Sequence, residues 1–380
     1  MLWPDKHRPK GLSEVDYHHE LSKRLQKMAA SGDVGHLLLY GPSGAGKKTR
    51  VMAFLKELFG PGVEKVKQDR RIFKTPTRRT VEISTLSSNY HIELNPNDAG
   101  TADTFVVQEV IKEIAQFSPL HVNTSIQNQN KDINANKGKP TKSNFKVVFL
   151  SEADHLSRSA QHALRRTMEK YVSACRIILC CENVNKIIQP LRSRCLNIRV
   201  PAPTEEEICK VLSKVVKTEE KYQVSKNNGV GLDKGLALKI ARHSKRNLRR
   251  ALLMLQTCKV QHNVLVNVDP NVALPVPDWE KFIANMAKLL CQNQNTQVLL
   301  NARKGLYELL ANCIPPSIIL STLCAELLRK VDDDLKHQIN ICAAHYDKRI
   351  QMGTKDIFHL EAFIAKFLVI YKNHLLKLYA

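Results

Sequence analysis

The chain has 380 residues, of which 43% are hydrophobic, and it carries a formal net charge of +22 with an isoelectric point near 9.6. Its length allows about two or three domains, and its apolar content excludes a chain that is disordered throughout. The excess of positive charge indicates a polyanionic partner, with nucleic acid favoured over an anionic membrane; a merely well-solvated basic surface is the alternative.

Three features bear on the cellular compartment. The N-terminal residues MLWPDKHRPK are charged and lack the apolar core of a secretory signal. No apolar run of about eighteen residues occurs, so we expect no membrane span. The ten cysteines never form C-x-x-C and lie mostly in apolar patterns. We therefore expect buried thiols in a reducing compartment and no zinc site.

The first 200 residues alternate short apolar segments with helical patterns. Strands are predicted at 36–40, 90–94, 146–150, 176–181 and 196–200. Strands separated by helices indicate a mostly parallel sheet that is covered on both faces. Residues 123–144, which are rich in Asn, Lys and Gln, interrupt this pattern, and we interpret them as a disordered surface insertion.

The rest of the chain is predicted to be helical. Thr204 and Glu207 form a capping box that opens a helical domain over 204–260. Prolines and polar residues make 261–277 a linker. Helical periodicity then continues over 278–380, with an apolar stripe that we assign to core or assembly. The predicted domains are therefore 1–203, 204–260 and 278–380.

A phosphate-binding loop is indicated by HLLLYGPSGAGKKT, residues 36–49, which combines an apolar strand, a glycine-rich turn and the start of a helix over 47–59. In the usual pattern G-x-x-x-x-G-K-[S/T], backbone N–H groups cradle phosphates, the lysine reaches the terminal phosphate and the hydroxyl holds Mg²⁺. Gly41, Gly46 and Lys47 fit this pattern. Lys48 stands where the hydroxyl is expected.

A second departure lies in KVVFLSEADHL, an apolar strand followed by acids at 146–156. P-loop enzymes use an aspartate at such a strand end to help hold Mg²⁺, and this chain has Ser151 there. We therefore predict that ATP or ADP is bound without the usual Mg²⁺ ligands and is hydrolysed poorly. The alternative is that Lys48 points to solvent and Thr49 takes the metal role, although one residue turns a helical side chain by about 100°.

Several longer segments then resemble one family over nearly the whole chain except 123–144. These segments are LWPDKHRP, HLLLYGPSGAGKKT, HIELNPNDAG, SEADHLSRSAQHALRRTMEKY, NKIIQPLRSRCLNIRVPAP and RNLRRALLML. They are similar to the AAA+ small subunits of replication factor C, the eukaryotic sliding-clamp loader, and to the subunit 3 class among them. The resemblance implies an α/β P-loop AAA+ domain with a parallel sheet, an all-α lid and an all-α C-terminal collar that closes a ring.

The resemblance also implies a set of nucleotide contacts. Sensor 2 falls on Arg249, the water-activating glutamate on Glu152 as a vestigial base, and sensor 1 on Glu182, where asparagine is usual. The N-terminal box supplies Arg8 and Pro9, with His7 where tyrosine is usual. The implied nucleotide-binding set is Gly41, Pro42, Ser43, Gly44, Ala45, Gly46, Lys47, Lys48, Thr49, Arg249, Arg8 and Pro9, and no metal ligand is predicted.

The intact motif Ser193, Arg194 and Cys195 has a different role in this family. Its arginine is a finger that acts in trans on the nucleotide of the neighbouring subunit. Such a finger contributes on the order of 10³ to 10⁵ in rate by neutralising charge on the phosphoryl oxygens. The resemblance therefore makes Arg194 catalytic for a reaction at another chain's site.

DNA contacts are predicted on the helix that contains SAQHALRRTMEKY. Its apolar stripe recurs at helical spacing, whereas Arg165 and Arg166 lie on the other face and Arg158 lies near the helix start. A clamp loader binds primed duplex of any sequence, which requires phosphate contacts rather than reading of base edges. We predict that these three arginines bind DNA; contact with another subunit is the alternative.

The expected function is that of a subunit of a nuclear heteropentamer. The resemblance implies partnership with the other replication factor C subunits, the PCNA clamp and primer–template DNA, and service in replication and repair. The isolated chain is predicted to have little ATPase activity. Two alternatives remain, a self-sufficient DNA-dependent P-loop ATPase and a scaffold with an empty pocket.

Overall fold

The structure is a computed structural model that describes residues 1–32, 34–74, 80–116, 145–172, 174–222, 233–261, 274–353 and 355–379. The predicted insertion at 123–144 and most of the predicted linker lie outside these ranges. The chain forms two compact units, Met1–Leu274 and Pro275–Ala380. The finer boundary predicted at residue 203 stays a prediction. Within the described ranges, no helix has the length and apolar character needed to cross a membrane.

The first unit is built on a sheet that has seven strands in the described part of the chain, in the order β2-β3-β4-β5-β6-β1-β7. Strands β4, β5, β6, β1 and β7 run parallel, and β2 and β3 add an antiparallel hairpin at one edge. The strand bounds are β1 Leu37–Tyr40, β2 Lys67–Lys74, β3 Thr80–Ser87, β4 His91–Leu94, β5 Lys146–Leu150, β6 Cys175–Cys181 and β7 Leu196–Arg199.

Helices cover both faces of this sheet, as predicted. The first helix, α1 Trp3–Lys6, packs away from the sheet, since Trp3 belongs to a separate core. The helices on the sheet are α2 His19–Ser31, α3 Lys47–Phe59, α4 Asp103–Gln116, α5 Arg158–Lys170 and α6 Gln189–Arg192. Alternate residues of each central strand enter opposite cores, since Leu38 packs with α4 and α5 whereas Leu37 and Leu39 pack with α2 and α3. The loop after β1 leads directly into α3, which packs on the side of the sheet that Leu37 and Leu39 face.

The helical region after the sheet consists of α7 Glu205–Tyr222, α8 Lys234–His243 and α9 Leu248–Gln261. The predicted capping box is present, because Thr204 N–H donates to Glu207 at 2.8 Å and Glu207 N–H donates to Thr204 Oγ1 at 3.2 Å. Ile208, Leu212, Ile240 and Leu255 form the core of this region. We call these three helices the lid.

The second unit is all-helical, with α10 Asp278–Gln292, α11 Thr296–Ala311, α12 Pro316–Leu328, α13 Asp333–Met352 and α14 Asp356–Tyr379. The predicted apolar stripe of α14 is core, since Leu360, Ile364 and Phe367 are buried. The predicted fold class is therefore confirmed: an α/β P-loop unit with a largely parallel sheet, a helical lid and a helical C-terminal unit. The antiparallel hairpin was not predicted.

Candidate nucleotide-binding site

The glycine-rich loop lies at the carboxyl end of β1, the strand between β6 and β7. Gly44 and Gly46 have positive φ angles of 71° and 81°, a conformation that suits glycine. At Gly41 a Cβ atom would lie 1.9 Å from the carbonyl oxygen of Val200. These glycines therefore let the backbone turn tightly from β1 into α3, whose first N–H groups face the site.

Lys47 is the first residue of α3, as the predicted helix over 47–59 requires. Its ammonium donates to the carbonyl oxygens of Gly41 and Pro42 at 2.7 Å and 2.9 Å. The side chain therefore folds over the loop, and its ammonium lies beside the loop backbone.

Tyr17 and Arg50 support the loop from below. The Tyr17 hydroxyl donates to the carbonyl of Ala45 at 3.2 Å, and burial raises the pKa of Tyr17, so this hydroxyl stays protonated. The fully buried Arg50 donates to the Tyr17 carbonyl and to Ser22 Oγ, both at 2.8 Å, and its guanidinium lies 4.8 Å from the Tyr17 ring. Through these hydrogen bonds, Tyr17 and Arg50 connect the loop to residues that precede β1 in the sequence.

The Lys48 ammonium is paired with a buried acid. It lies 2.5 Å from the carboxylate of Glu93 on β4, and the Glu93 side chain is only 9% exposed. Lys48 itself is 43% exposed and lines the cavity described below. The second lysine of the loop is therefore fixed on the cavity wall by a buried acid.

A P-loop fold implies Mg²⁺, but the residues at the two usual ligand positions, Lys48 and Ser151, do not fit this ion. Lys48 places an ammonium where a hydroxyl ligand is usual. Ser151, at the usual aspartate position, donates its hydroxyl to the Leu94 carbonyl at 3.1 Å. Mg²⁺ requires oxygen ligands in near-octahedral geometry, and neither residue offers a carboxylate. Thr49 also lines the cavity, one residue further along α3.

A cavity of about 640 Å³ brings most of the predicted nucleotide contacts together. This volume lies within the usual range for ligand sites. The predicted residues that line it are Arg8, Pro9, Ser43, Gly44, Gly46, Lys47, Lys48, Thr49, Glu152 and Arg249, together with Glu182 at the sensor 1 position. Gly41, Pro42 and Ala45 belong to the loop without lining the cavity.

Glu152, Cys180 and Cys181 form part of the cavity wall at the carboxyl ends of the parallel strands β5 and β6. Glu152 has a φ of 53°, a left-handed conformation that is strained for a residue with a side chain. Cys180 and Cys181 end β6, and burial raises the pKa of each thiol to about 12. The thiols are therefore uncharged at neutral pH and place no negative charge beside a phosphate.

The opposite wall comes from the N-terminal segment and the lid. Trp3 packs in the lid core, and its backbone N–H donates to Gln256 Oε1 at 3.0 Å. His7, which replaces the usual tyrosine, lies 2.5 Å from Glu219 on α7. Arg8 and Pro9 follow directly and line the cavity, as does Arg249 from α9. The N-terminal segment is thus docked on the lid beside the site.

Arg194 lies outside this cavity. Its Nη2 and Nε atoms lie 2.5 Å and 2.6 Å from Glu169, and Nη1 donates to the Pro190 carbonyl at 2.8 Å. Its side chain is 35% exposed. The guanidinium is therefore held at the surface, away from this cavity.

The three arginines predicted to bind DNA all lie on α5. Arg158 and Arg166 are exposed, whereas Arg165 is half-buried with its Nε 3.7 Å from Glu169. The predicted apolar stripe faces the core through Ala160, Leu164, Thr167 and Met168. The helix therefore presents Arg158 and Arg166 to solvent, outside the cavity.

Two features of the site were missed from the sequence. Glu93 carried a signal, since an acid inside the short apolar strand HIEL must either lie at an edge or find a buried cation. Glu219 carried none, because it lies 212 positions from His7 in the sequence and only the fold brings the two together.

The chain is similar to curated proteins along its full length. It is 47% identical over 372 residues to replication factor C subunit 3 of Homo sapiens, with 98% of this chain and 96% of that protein covered. It is 47% identical over 378 residues to replication factor C subunit 5 of Oryza sativa subsp. japonica, with 99% of each covered. Replication factor C subunit 5 of Schizosaccharomyces pombe is 43% identical over 373 residues, with 98% of this chain and 97% of that protein covered.

Three family models match separate segments. Residues 279–375 match the replication factor C subunit 3 C-terminal domain, 210–260 the RCF1/5-like AAA+ ATPase lid domain, and 17–204 the DNA polymerase III delta subunit. A solved structure of a RuvB variant from Thermotoga maritima is 15% identical with a TM-score of 0.46, over 75% of this chain and 79% of that chain.

Proposed function

The chain belongs to the replication factor C subunit 3/5 family of clamp-loader subunits, and from that premise we propose that it helps to open the PCNA sliding clamp and to place it on primer–template DNA. The chain acts in the nucleus, in replication and repair, as one member of a heteropentamer. Its excess of positive charge, +22 in total, suits binding to DNA phosphates.

The nucleotide site is proposed to bind ATP or ADP and to hydrolyse it poorly. The observation that carries this proposal is a cavity with an intact loop and Lys47, in which Lys48 and Ser151 stand at the positions of the Mg²⁺ ligands. Glu182 supports the same conclusion, because a carboxylate near a γ-phosphate repels it. Binding needs the N–H groups and the lysine, whereas rapid hydrolysis needs the metal as well.

Arg194 is proposed to serve the neighbouring subunit. Its guanidinium lies outside its own cavity, at the surface, where it is accessible to a second chain. There are two competing functions. The first is a self-sufficient ATPase, which rapid ATP turnover by the purified chain with Mg²⁺ and DNA would support. The second is a scaffold with an empty pocket.

We expect equilibrium dialysis to show that the purified full chain binds labelled ADP, and that Lys47→Met weakens this binding about tenfold to a hundredfold. Removing one charge-assisted hydrogen bond costs about 1.5 to 3 kcal/mol, which corresponds to that range. Lys27→Met is the matched control, because Lys27 is an exposed lysine of the same unit and does not line the cavity. No binding by the unmodified chain at millimolar ADP would favour the scaffold.

DNA binding by the assembled complex is expected to weaken steeply with salt, because phosphate contacts release counterions. The double substitution Arg158→Ala, Arg166→Ala should lower the slope of log affinity against log salt by about 2, or about 1 for each arginine that is replaced. Fluorescence anisotropy of a labelled primer–template measures this slope.

The control for this experiment is Lys23→Ala with Lys27→Ala. These exposed lysines lie on α2, which packs on the opposite face of the sheet from α5. The control changes the net charge equally and should leave the slope near that of the unmodified complex. An equal slope in both variants would assign the α5 arginines to a role other than DNA contact.

A further inference from the structure

Glu93 is an acid inside the sheet. It is the third residue of β4, beside Phe149 of β5 in the parallel register, and it is buried with 8% of its surface exposed. Register partners point to the same face of a sheet, and Phe149 packs against α3 and its neighbours. The Glu93 carboxylate therefore faces the first turn of α3, where Lys48 is located.

A buried carboxylate is costly unless a cation and hydrogen bonds compensate it. Lys48 is the cation, with its Nζ 2.5 Å from Glu93 Oε1. An ammonium has three N–H donors, and one is directed to Glu93. Lys48 is 43% exposed on the cavity side, so its other donors remain accessible to a ligand.

The lysine stem is long and flexible, and a free lysine would lose much side-chain entropy on binding a phosphate. Glu93 fixes the ammonium before any ligand arrives. Next to it, burial lowers the pKa of His91, whose Nδ1 contacts Ser88 Oγ at 2.7 Å. His91 is therefore neutral at neutral pH. Of the two basic groups beside Glu93, Lys48 is the one that carries a positive charge.

We propose that this site binds the polyphosphate of ADP or ATP without a divalent cation, and that the Lys48 ammonium, anchored on Glu93, takes the place of the cation. The inference rests on the proposed nucleotide-binding function and deepens it. It follows from the misfit with Mg²⁺: the position of one ligand carries a fixed positive charge, and the hydroxyl of Ser151 is directed to a backbone carbonyl. A fixed ammonium and Mg²⁺ in the same place repel one another.

The first experiment is equilibrium dialysis of labelled ADP against the purified full chain, once with Mg²⁺ and once with EDTA. The proposal predicts that ADP binds at least as tightly in EDTA as in Mg²⁺, because no step of binding needs the metal and Lys48 repels a Mg²⁺ ion carried by the diphosphate. Binding in Mg²⁺ that is lost in EDTA would overturn the inference and leave the proposed function standing. Absence of binding in both conditions would overturn both.

The second experiment replaces the ammonium. Lys48→Thr restores the usual hydroxyl and leaves the Glu93 carboxylate unpaired beside the site. We expect its affinity for ADP in EDTA to fall about tenfold or more, and Mg²⁺ to recover most of the loss. Electron paramagnetic resonance of Mn²⁺ gives a second readout, with ADP-dependent Mn²⁺ binding in Lys48→Thr and not in the unmodified chain. An affinity of Lys48→Thr that is unchanged in EDTA would overturn the role of Lys48.

Two further variants separate charge, anchor and folding. Lys48→Arg keeps the positive charge beside Glu93, and its affinity for ADP in EDTA should fall by no more than about threefold. Lys48→Thr combined with Glu93→Gln removes the freed carboxylate and should lose the recovery by Mg²⁺. Thermal unfolding of each variant identifies any that fails to fold. Recovery by Mg²⁺ in the combined variant would overturn the assignment of Glu93.

Discussion

Arg194→Ala is expected to lower ATP hydrolysis at the site of the neighbouring subunit by about 10³-fold or more, while the heteropentamer still assembles. The physical reason is charge: the finger neutralises the negative charge that develops on the phosphoryl oxygens, and water cannot replace it at a fixed position. Glu169 and the Pro190 carbonyl hold the guanidinium in one orientation at the surface. The arginine is thus oriented before a partner arrives.

The measurement is ATP turnover by the reconstituted complex, with assembly followed by size-exclusion chromatography. Since other sites of the complex remain active, single-turnover kinetics should show the loss of one hydrolysis phase rather than uniform slowing. Arg199→Ala is the matched control, because Arg199 is an exposed arginine at the end of β7, five positions along the chain. Unchanged turnover in Arg194→Ala complexes would exclude the finger role.

Gly41→Ala is expected to lower the free energy of unfolding of the first unit by about 3 kcal/mol or more. The added Cβ would lie 1.9 Å from the Val200 carbonyl oxygen, and the φ of 155° disfavours a side chain. That oxygen belongs to the backbone beside β1 and cannot rotate away as a side chain would. Either the pairing of β1 with β7 or the loop must shift.

Urea unfolding monitored by Trp3 fluorescence measures this change. The chain has two tryptophans, and Trp279 lies in the second unit, so a Trp279→Phe background reports the first unit alone. Gly35→Ala is the control, because a Cβ there meets nothing within 4 Å, and it should change the stability by at most about 0.5 kcal/mol. Equal effects of the two substitutions would refute the steric argument.

The parts of the fold that local chemistry determines could be predicted. The central parallel strands read as apolar runs because they are buried on both faces, and helix α3 begins and ends where its glycines stand. The capping box at Thr204 and Glu207 is also local, since both partners lie within one helical turn. These signals need no knowledge of distant residues.

The antiparallel hairpin gave a weaker signal. Strand β2, KQDRRIFK, lies at the sheet edge, and five of its eight residues are charged. It pairs with β3 alone in the described sheet, so few of its positions need to be apolar. An edge strand of this kind resembles a polar loop in sequence, and only its partner reveals it.

The residues of the glycine-rich loop were predicted from the sequence. The residues that contact and position them were not. Glu93 and Lys48 are 45 residues apart, and Arg50 contacts Tyr17 across 33 residues. Such contacts depend on which strand lies beside which helix, and that order is a property of the folded sheet. The sequence could therefore show that Lys48 was unusual without showing what it contacts.

The docking of the N-terminal segment on the lid bears on release kinetics. Trp3 packs in the lid core and His7 contacts Glu219, while Arg8 and Pro9 stand at the cavity. A lid that opens must either carry these residues with it or break their contacts. If the site binds a nucleotide as proposed, we expect two joined segments to enclose it and its dissociation to be slow even where its affinity is ordinary. Such a nucleotide would outlast many turnovers at neighbouring sites and act as a resident part of the subunit.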